Sequence, residues 1–403
     1  MSQAVATILG GSTPFTAALV EALRAASAEG KLPACELRLL GRDREAAEAM
    51  ARYAQARLGA LGWRSLASTQ LGRALDGATI VINQIRFGGL AGRASDEAIA
   101  RACHVAADET LGPGALAAAL RSARPLSELA SSLARICPDA WIFNLANPLS
   151  VTTSVLVRAG APPKCVGLCE LPFTTVAEAC RALGVGLDEV QWSYAGFNHR
   201  GFVLALKRAG RDLLSLLPFA LGHKTIFGIA ADDIARLGAL PLKYFHLSSR
   251  PKAPSTFSRV PFLEAVKAAI ARELRASDAP PPSLSQRDCR WYSGAVVPMM
   301  SAVLGQGARE LVVNCVREDG LCWEQPARVD GQGVRPIDQP INGSPRHWLG
   351  VWAAHERAFC EAIAAPSPAS IRRALDLDPS VPKSQVDTAS TAVWFTHRAR
   401  GET

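Results

Sequence analysis

The run Ala4-Val5-Ala6-Thr7-Ile8-Leu9 passes directly into Gly10-Gly11-Ser12-Thr13-Pro14-Phe15-Thr16 and then into a helical pattern over residues 17–28; no other stretch constrains the fold as much. A short apolar strand, a glycine turn and a helix in that order open a dinucleotide-binding βαβ unit. The glycines let the backbone approach a pyrophosphate, and the first free N–H groups of the helix offer it a positive end. A second strand, residues 36–40, ends in Gly41-Arg42-Asp43. An acidic residue normally stands at that strand end and holds the adenosine ribose hydroxyls. Here the aligned position is Gly41 and Arg42 follows, which leaves both NAD and its 2′-phosphorylated form open.

A third strand, residues 79–83, leads into Gln84-Ile85-Arg86-Phe87-Gly88-Gly89. A fourth, 141–145, leads into Ala146-Asn147-Pro148, and a fifth, 165–168, ends on Cys169. Ligands gather outside the carboxyl ends of parallel strands, so these turns are expected to converge on one crevice. Gly10, Gly11, Ser12, Thr13 and Arg42, with Asn83 at the end of the third strand, are the expected cofactor contacts. Between the third and fourth strands, residues 115–135 read as a helix broken at Pro125. Past Tyr194-Ala195-Gly196-Phe197-Asn198-His199 an alternating strand, 202–206, runs into a polar hairpin at 208–212, and residues 277–283 read as a surface link. Cys169 and His199 each sit just past a strand-like run. A soft thiolate and an imidazole on two separate turns can hold one divalent metal in front of such a fold, although by spacing alone a buried thiol and a satisfied histidine would serve as well.

With 403 residues the chain is too long for one ordinary core, so an α/β fold of two units is expected: a Rossmann-like domain over 1–195 and a mixed α/β domain over 196–403 that resembles the second domain of lactate dehydrogenase. Hydrophobic residues make up 49% and charged residues 20%, as in a globular protein. No run is long and apolar enough to span a membrane, and the first residues lead into a glycine turn instead of a cleavage site, so a cytoplasmic protein is expected. Ten cysteines without paired spacing read as reduced thiols. The formal charge of +8 is dispersed and not interleaved with aromatics, which argues against nucleic acid and suits a small anionic substrate such as a sugar phosphate.

In their order along the chain these segments resemble glycoside hydrolase family 4, the NAD- and metal-dependent glycosidases whose fold is related to lactate and malate dehydrogenases. The resemblance rests on the turn at Gly10 to Thr16, on Arg86-Phe87-Gly88-Gly89-Leu90 with Arg93 and Asp96-Glu97, and on Asp108-Glu109-Thr110-Leu111-Gly112-Pro113-Gly114. It continues through Pro138-Asp139-Ala140-Trp141, Asn144, Asn147-Pro148, Gly167-Leu168-Cys169 with Pro172, Gly196-Phe197-Asn198-His199, Tyr244 and Tyr292-Ser293. It implies a redox-assisted elimination in place of the usual two-carboxylate route. Bound NAD takes hydride from sugar carbon 3, a base removes the acidified proton on carbon 2, the aglycone leaves, water adds and the hydride returns.

Carried onto matching positions, the resemblance makes Cys169 and His199 ligands of Mn(II) or a similar ion, and Tyr244 the base; His246, two residues on, is a second candidate on its imidazole chemistry alone. Asn147 would bond a sugar hydroxyl near the metal, and Arg86, Asn198 and Glu170 would contact the sugar or its phosphate. A homodimer or homotetramer is implied by the related folds. The departures lie in substrate-facing segments: Glu170 stands where the family commonly has Asn, Asp or His, Asp108 replaces a glutamine, and Arg317-Glu318-Asp319-Gly320 replaces an Asn-Asn-Gly turn. Glu109 is equally readable as a structural partner of Arg93 or Arg121. Two other readings remain at this point: an NAD(P)-dependent sugar or hydroxy-acid dehydrogenase without hydrolysis, and a non-catalytic relative that binds a nucleotide or sugar phosphate.

Overall fold

The computed structural model describes residues 3–106, 108–249, 257–305 and 307–401. Six parallel strands form its first half: β1 (Val5–Leu9), β2 (Glu36–Leu40), β3 (Arg64–Ser68), β4 (Ile80–Asn83), β5 (Trp141–Asn144) and β6 (Cys165–Gly167). They lie side by side in the order β3-β2-β1-β4-β5-β6, the doubly wound order, whose switch point falls between β1 and β4. β4 and β5 are buried at every position, as strands covered by helices on both faces must be, and this explains their unbroken apolar sequence. β3 has no residue fully buried and carries no alternating or apolar pattern, so the sequence reading passed over it. The helix Gly112–Ile136 runs straight through Pro125 and is not broken there: the apolar residues on both sides of the proline, from Leu116 and Leu120 to Leu129 and Leu133, are buried along one stripe, and their packing outweighs one lost hydrogen bond.

The second half extends the same sheet. It contributes β7 (Gln191–Phe197), β8 (Arg200–Arg208), the short strands β9 (Arg211–Asp212) and β12 (Leu240–Pro241), then β13 (Arg309–Val316), β14 (Cys322–Asp330) and β15 (Gly333–Pro336), while β10 (Thr225–Ile226) and β11 (Ile229–Ala230) pair with each other as a separate two-stranded sheet. β13 pairs antiparallel with β6 through Asn314 and Gly167, and β14, β7, β8 and β12 follow outward. The expected division after residue 195 therefore falls inside β7, within a sheet that is continuous across both halves.

A buried polar chain fixes how the C-terminal helices meet the dinucleotide half. Arg200, at the start of β8, donates to Glu356 and, at 2.9 Å, to His355 Nδ1; His355 Nε2 faces Asp378 at 3.3 Å. Asp378 in turn accepts the N–H of Gly112 at 2.7 Å, at the start of the helix Gly112–Ile136, together with the N–H and hydroxyl of Ser380. A carboxylate is favoured at that positive helix end. His355 and these hydrogen bonds hold the Asp378 carboxyl well below its usual range, against the opposing effect of burial. A group depressed on folding contributes its stability in full above its unfolded value, ~3.9, and loses it as pH falls toward the folded one. Asp378→Asn is expected to cost about 2–4 kcal/mol between pH 5 and 8, with the gap to the parent closing below about pH 4, as read by urea denaturation at several pH values.

Candidate active site

One cleft of about 1290 Å³ runs along the carboxyl ends of the parallel strands and under the second half of the chain. Pockets for a single drug-sized ligand occupy roughly 300–1,000 Å³, so this one has room for a dinucleotide and a sugar together. At one end lie Gly10, Ser12 and Thr13 with Gly41, Arg42 and Asp43; at the other lie Arg86, Asn147, Cys169, Glu170, Asn198, His199 and Lys243. Gly10 has φ of 79°, a conformation that glycine adopts at no steric cost. Gln84 fastens this turn by donating to the Gly10 carbonyl at 3.2 Å and to Thr16 at 2.8 Å, and it accepts from the Tyr292 hydroxyl at 2.6 Å.

Two expected cofactor contacts do not reach the cleft. Asn83 is fully buried, donates to Asn144 Oδ1 at 2.9 Å and accepts the N–H of Ile85, so it bridges the ends of β4 and β5. Gly11 points its N–H at the carbonyls of Ile8 and Leu40 and packs against β2. Strand-end polar residues can serve the sheet as well as a ligand, and only the fold separates the two uses.

His199 and Asn198 form the two-residue turn between β7 and β8, with Phe197 paired to Arg200. His199 takes φ of 63°, a left-handed conformation uncommon outside glycine, at the second position of this turn. Its Nδ1 lies 2.8 Å from Thr110 Oγ1, which leaves Nε2 for a ligand. Burial, with the Lys243 charge beside it, lowers the imidazole to about 3, so the ring is neutral and able to donate a lone pair. Tyr244 stacks on the imidazole with centroids 4.6 Å apart and planes within 8°.

Cys169 caps the end of β6, buried, with the Leu171 N–H pointing at its sulfur from 3.5 Å and Glu170 Oε2 at 3.9 Å. Burial and the neighbouring carboxylates Glu170 and Glu324 push its thiol upward, so ionisation there calls for a cation. Asn198 is fully buried; it donates to Glu324 Oε1 at 3.1 Å and leaves Oδ1 without a partner. Its place between Cys169 and Glu324 makes it a support for the thiol more than a free contact for sugar. Among the described residues no three His, Cys, Asp or Glu side chains are grouped to hold a metal. The donor set is thus one sulfur and one imidazole nitrogen beside an unsatisfied amide oxygen, a soft and borderline set suited to a divalent transition metal with open positions. The residues fit such an ion, and the glycine turn fits a pyrophosphate.

Glu109 organises the end of the cleft that holds Arg86 and Asn147. It pairs with Arg86 at 2.9 Å and with Arg93, and it accepts the Asn147 amide at 3.0 Å. The two guanidinium groups and the amide bring its carboxyl down to about 2 in spite of burial. Arg121 pairs instead with Asp96. Glu324 is the site residue that the sequence reading missed. It is fully buried on β14, accepts from Tyr194, Asn198 and Asn314, and is raised to about 7 by burial. An acidic residue inside the otherwise buried run of β14 was the available signal.

A doubly wound dinucleotide fold with a thiol and an imidazole on the same cleft defines a nucleotide-dependent enzyme able to take a divalent metal beside its cofactor. The chain belongs to the family 4 glycosyl hydrolases: that family's model matches residues 4–185 and the model of its C-terminal domain matches residues 194–381. It is 27% identical over 344 residues to a probable 6-phospho-beta-glucosidase of Bacillus subtilis (strain 168), covering 78% of this chain and 77% of that protein. The Thermotoga maritima 6-phospho-beta glucosidase, solved with manganese, NAD+ and glucose-6-phosphate, superposes with a TM-score of 0.85 at 21% identity over 99% of both chains. Malate dehydrogenase of Cryptosporidium parvum superposes with a TM-score of 0.58 at 13% identity, over 91% of this chain and all of that one.

Glu109→Gln leaves Arg86 without a counter-charge, leaves Arg93 with Glu97 alone, and weakens the hold on Asn147. It is expected to cost about 1.5–3 kcal/mol of stability at neutral pH in urea unfolding. Because its carboxyl is depressed on folding, that contribution is complete above the unfolded value, ~4.3, and fades as pH falls toward about 2.

Proposed function

We propose that the chain cleaves a 6-phosphorylated glycoside by nicotinamide-dependent, metal-assisted elimination, with a nicotinamide dinucleotide as the hydride carrier and Mn(II) or a similar ion as the metal. The observation that carries this reading is the position of Cys169 and His199 on the cleft whose other end is the glycine turn of a dinucleotide fold. The ligands of the Thermotoga relative support it. When bound, the nucleotide takes up and returns the hydride of sugar carbon 3, and the metal polarises the oxygen on that carbon.

The protein's own residues supply the remainder. Cys169 and His199 Nε2 would hold the ion, and Thr110 keeps the imidazole oriented by engaging Nδ1. Gly10, Ser12 and Thr13 would receive the cofactor phosphates. Asn147, steadied by Glu109, presents its side chain to a sugar hydroxyl. Lys243, ion-paired with no described carboxylate, gives the sugar end the positive charge that a phosphate needs, and Arg86, its charge balanced by Glu109, offers hydrogen-bond donors beside it. Burial raises the Glu170 carboxyl above the usual range.

Tyr244 is the candidate base on carbon 2. Its ring lies flat on His199, close to the Asp108 carboxyl, which burial raises to about 6. Burial and the adjacent carboxylates also push the phenol itself upward, so Tyr244 works as a carrier that hands its proton on, with Asp108 behind it as acceptor. The ten free cysteines agree with a reducing cytoplasm. The exposed rings of Phe219 and Phe395 agree with a homo-oligomer, which light scattering would count.

Chromogenic glycosides with and without a 6-phosphate, supplemented with NAD, Mn(II) and reductant, test the reading. Cleavage is expected for the phosphorylated compounds alone and only with both cofactors; net NADH formation without cleavage would make the chain a dehydrogenase instead. Tyr244→Phe is expected to lower kcat by about 10²–10⁴-fold. Cys169→Ser is expected to weaken Mn(II) binding in calorimetry by about 10-fold or more. As Asp108 must be ionised to accept a proton, kcat/KM should fall below about pH 6, and Asp108→Asn should abolish that acid limb.

A further inference from the structure

We infer that the adenosine end of the cleft is built for a 2′-phosphate, so that this chain binds the 2′-phosphorylated dinucleotide NADP more tightly than NAD. The inference rests on the proposed dinucleotide site and concerns the residues at the carboxyl end of β2. An acid that reads both ribose hydroxyls would stand at residue 41, directly after β2. The structure has no room for it: a Cβ on Gly41 would lie 2.3 Å from both Cβ and Oγ of Ser12, and Ser12 itself belongs to the glycine turn. The loss of the acid is therefore interlocked with a residue on the neighbouring strand's turn.

What stands there in its place is a cation. Arg42 is exposed on the cleft wall and has no hydrogen-bond or ion-pair partner among the described residues. Asp43 supplies the carboxylate at this end of the cleft, and its Oδ1 is committed to capping the helix Arg44–Leu58 through the Ala46 N–H at 3.1 Å. A ribose 2′-hydroxyl would thus meet one half-occupied carboxylate and an unpaired guanidinium. A 2′-phosphate, a monoester with close to two negative charges at pH 7, would meet a fork-shaped donor group matched to it.

Titration calorimetry of the full chain with NADP and with NAD, in the absence of sugar and metal, tests this without any turnover. The parent is expected to bind NADP at least tenfold more tightly than NAD. Arg42→Ser, at an exposed position that folding does not need, should weaken NADP by about tenfold or more and change NAD by less than threefold. Adenosine 2′,5′-bisphosphate should displace NADP better than 5′-AMP in the parent and lose that advantage in the variant. Tighter binding of NAD by the parent, or an equal loss of both nucleotides in Arg42→Ser, would overturn the inference while leaving a dinucleotide site intact. Binding of neither nucleotide would overturn the inference and the cofactor reading together.

Discussion

The buried Glu324 carboxylate joins the parts on which the site depends. From β14 it accepts hydrogen bonds from Tyr194 on β7, Asn314 on β13 and Asn198 on the β7–β8 turn. Asn314 is also the residue through which β13 pairs with β6, the strand that leads to Cys169. One carboxyl therefore fixes the hairpin that carries His199 relative to the strand end that carries the thiol. A buried carboxyl is costly when its donors are missing, so the arrangement tolerates few alternatives, and that intolerance makes the geometry single-valued.

A second carboxylate does comparable work at the Arg86 end of the cleft. Glu109 gathers Arg86, Arg93 and Asn147, residues from three different segments, and together with Glu97 on Arg93 it balances the two guanidinium charges. The result is a site with less net positive charge than its arginines suggest, in which Lys243 remains available to an anionic group. Asp378 closes the frame from the other side: it holds the start of the helix Gly112–Ile136, two residues beyond the Thr110 that orients His199. The imidazole is thus positioned from both directions, by Arg200 next to it in β8 and by the segment that Asp378 anchors.

Much of this was legible in the sequence. The glycine turn, the strand ends and the order of the motifs led to the doubly wound fold and to Cys169, His199, Asn147 and Arg86 on one cleft, because those features are local and repeat wherever a strand feeds a helix. Asn83 and Gly11 were misread for the same reason, since a polar or glycine residue at a strand end has an identical sequence signature whether it faces ligand or sheet. Pro125 misled because tertiary packing overrides a local helix-breaking preference. β3 and Glu324 carry no periodic signal, and the place of Asn198 beneath the thiol depends on a partner more than a hundred residues away in sequence.

By itself the sequence determined the fold class, the glycine turn after β1, the candidate metal donors and the absence of an acid directly after β2, all consequences of short-range backbone sterics and residue chemistry. The tertiary structure alone decided which carboxylates pair with which cations, which imidazole nitrogen is left for a ligand, and that Ser12 occupies the space an acid at residue 41 would need. Those outcomes depend on burial and on distances across non-neighbouring strands, where desolvation sets the cost of every unpaired charge.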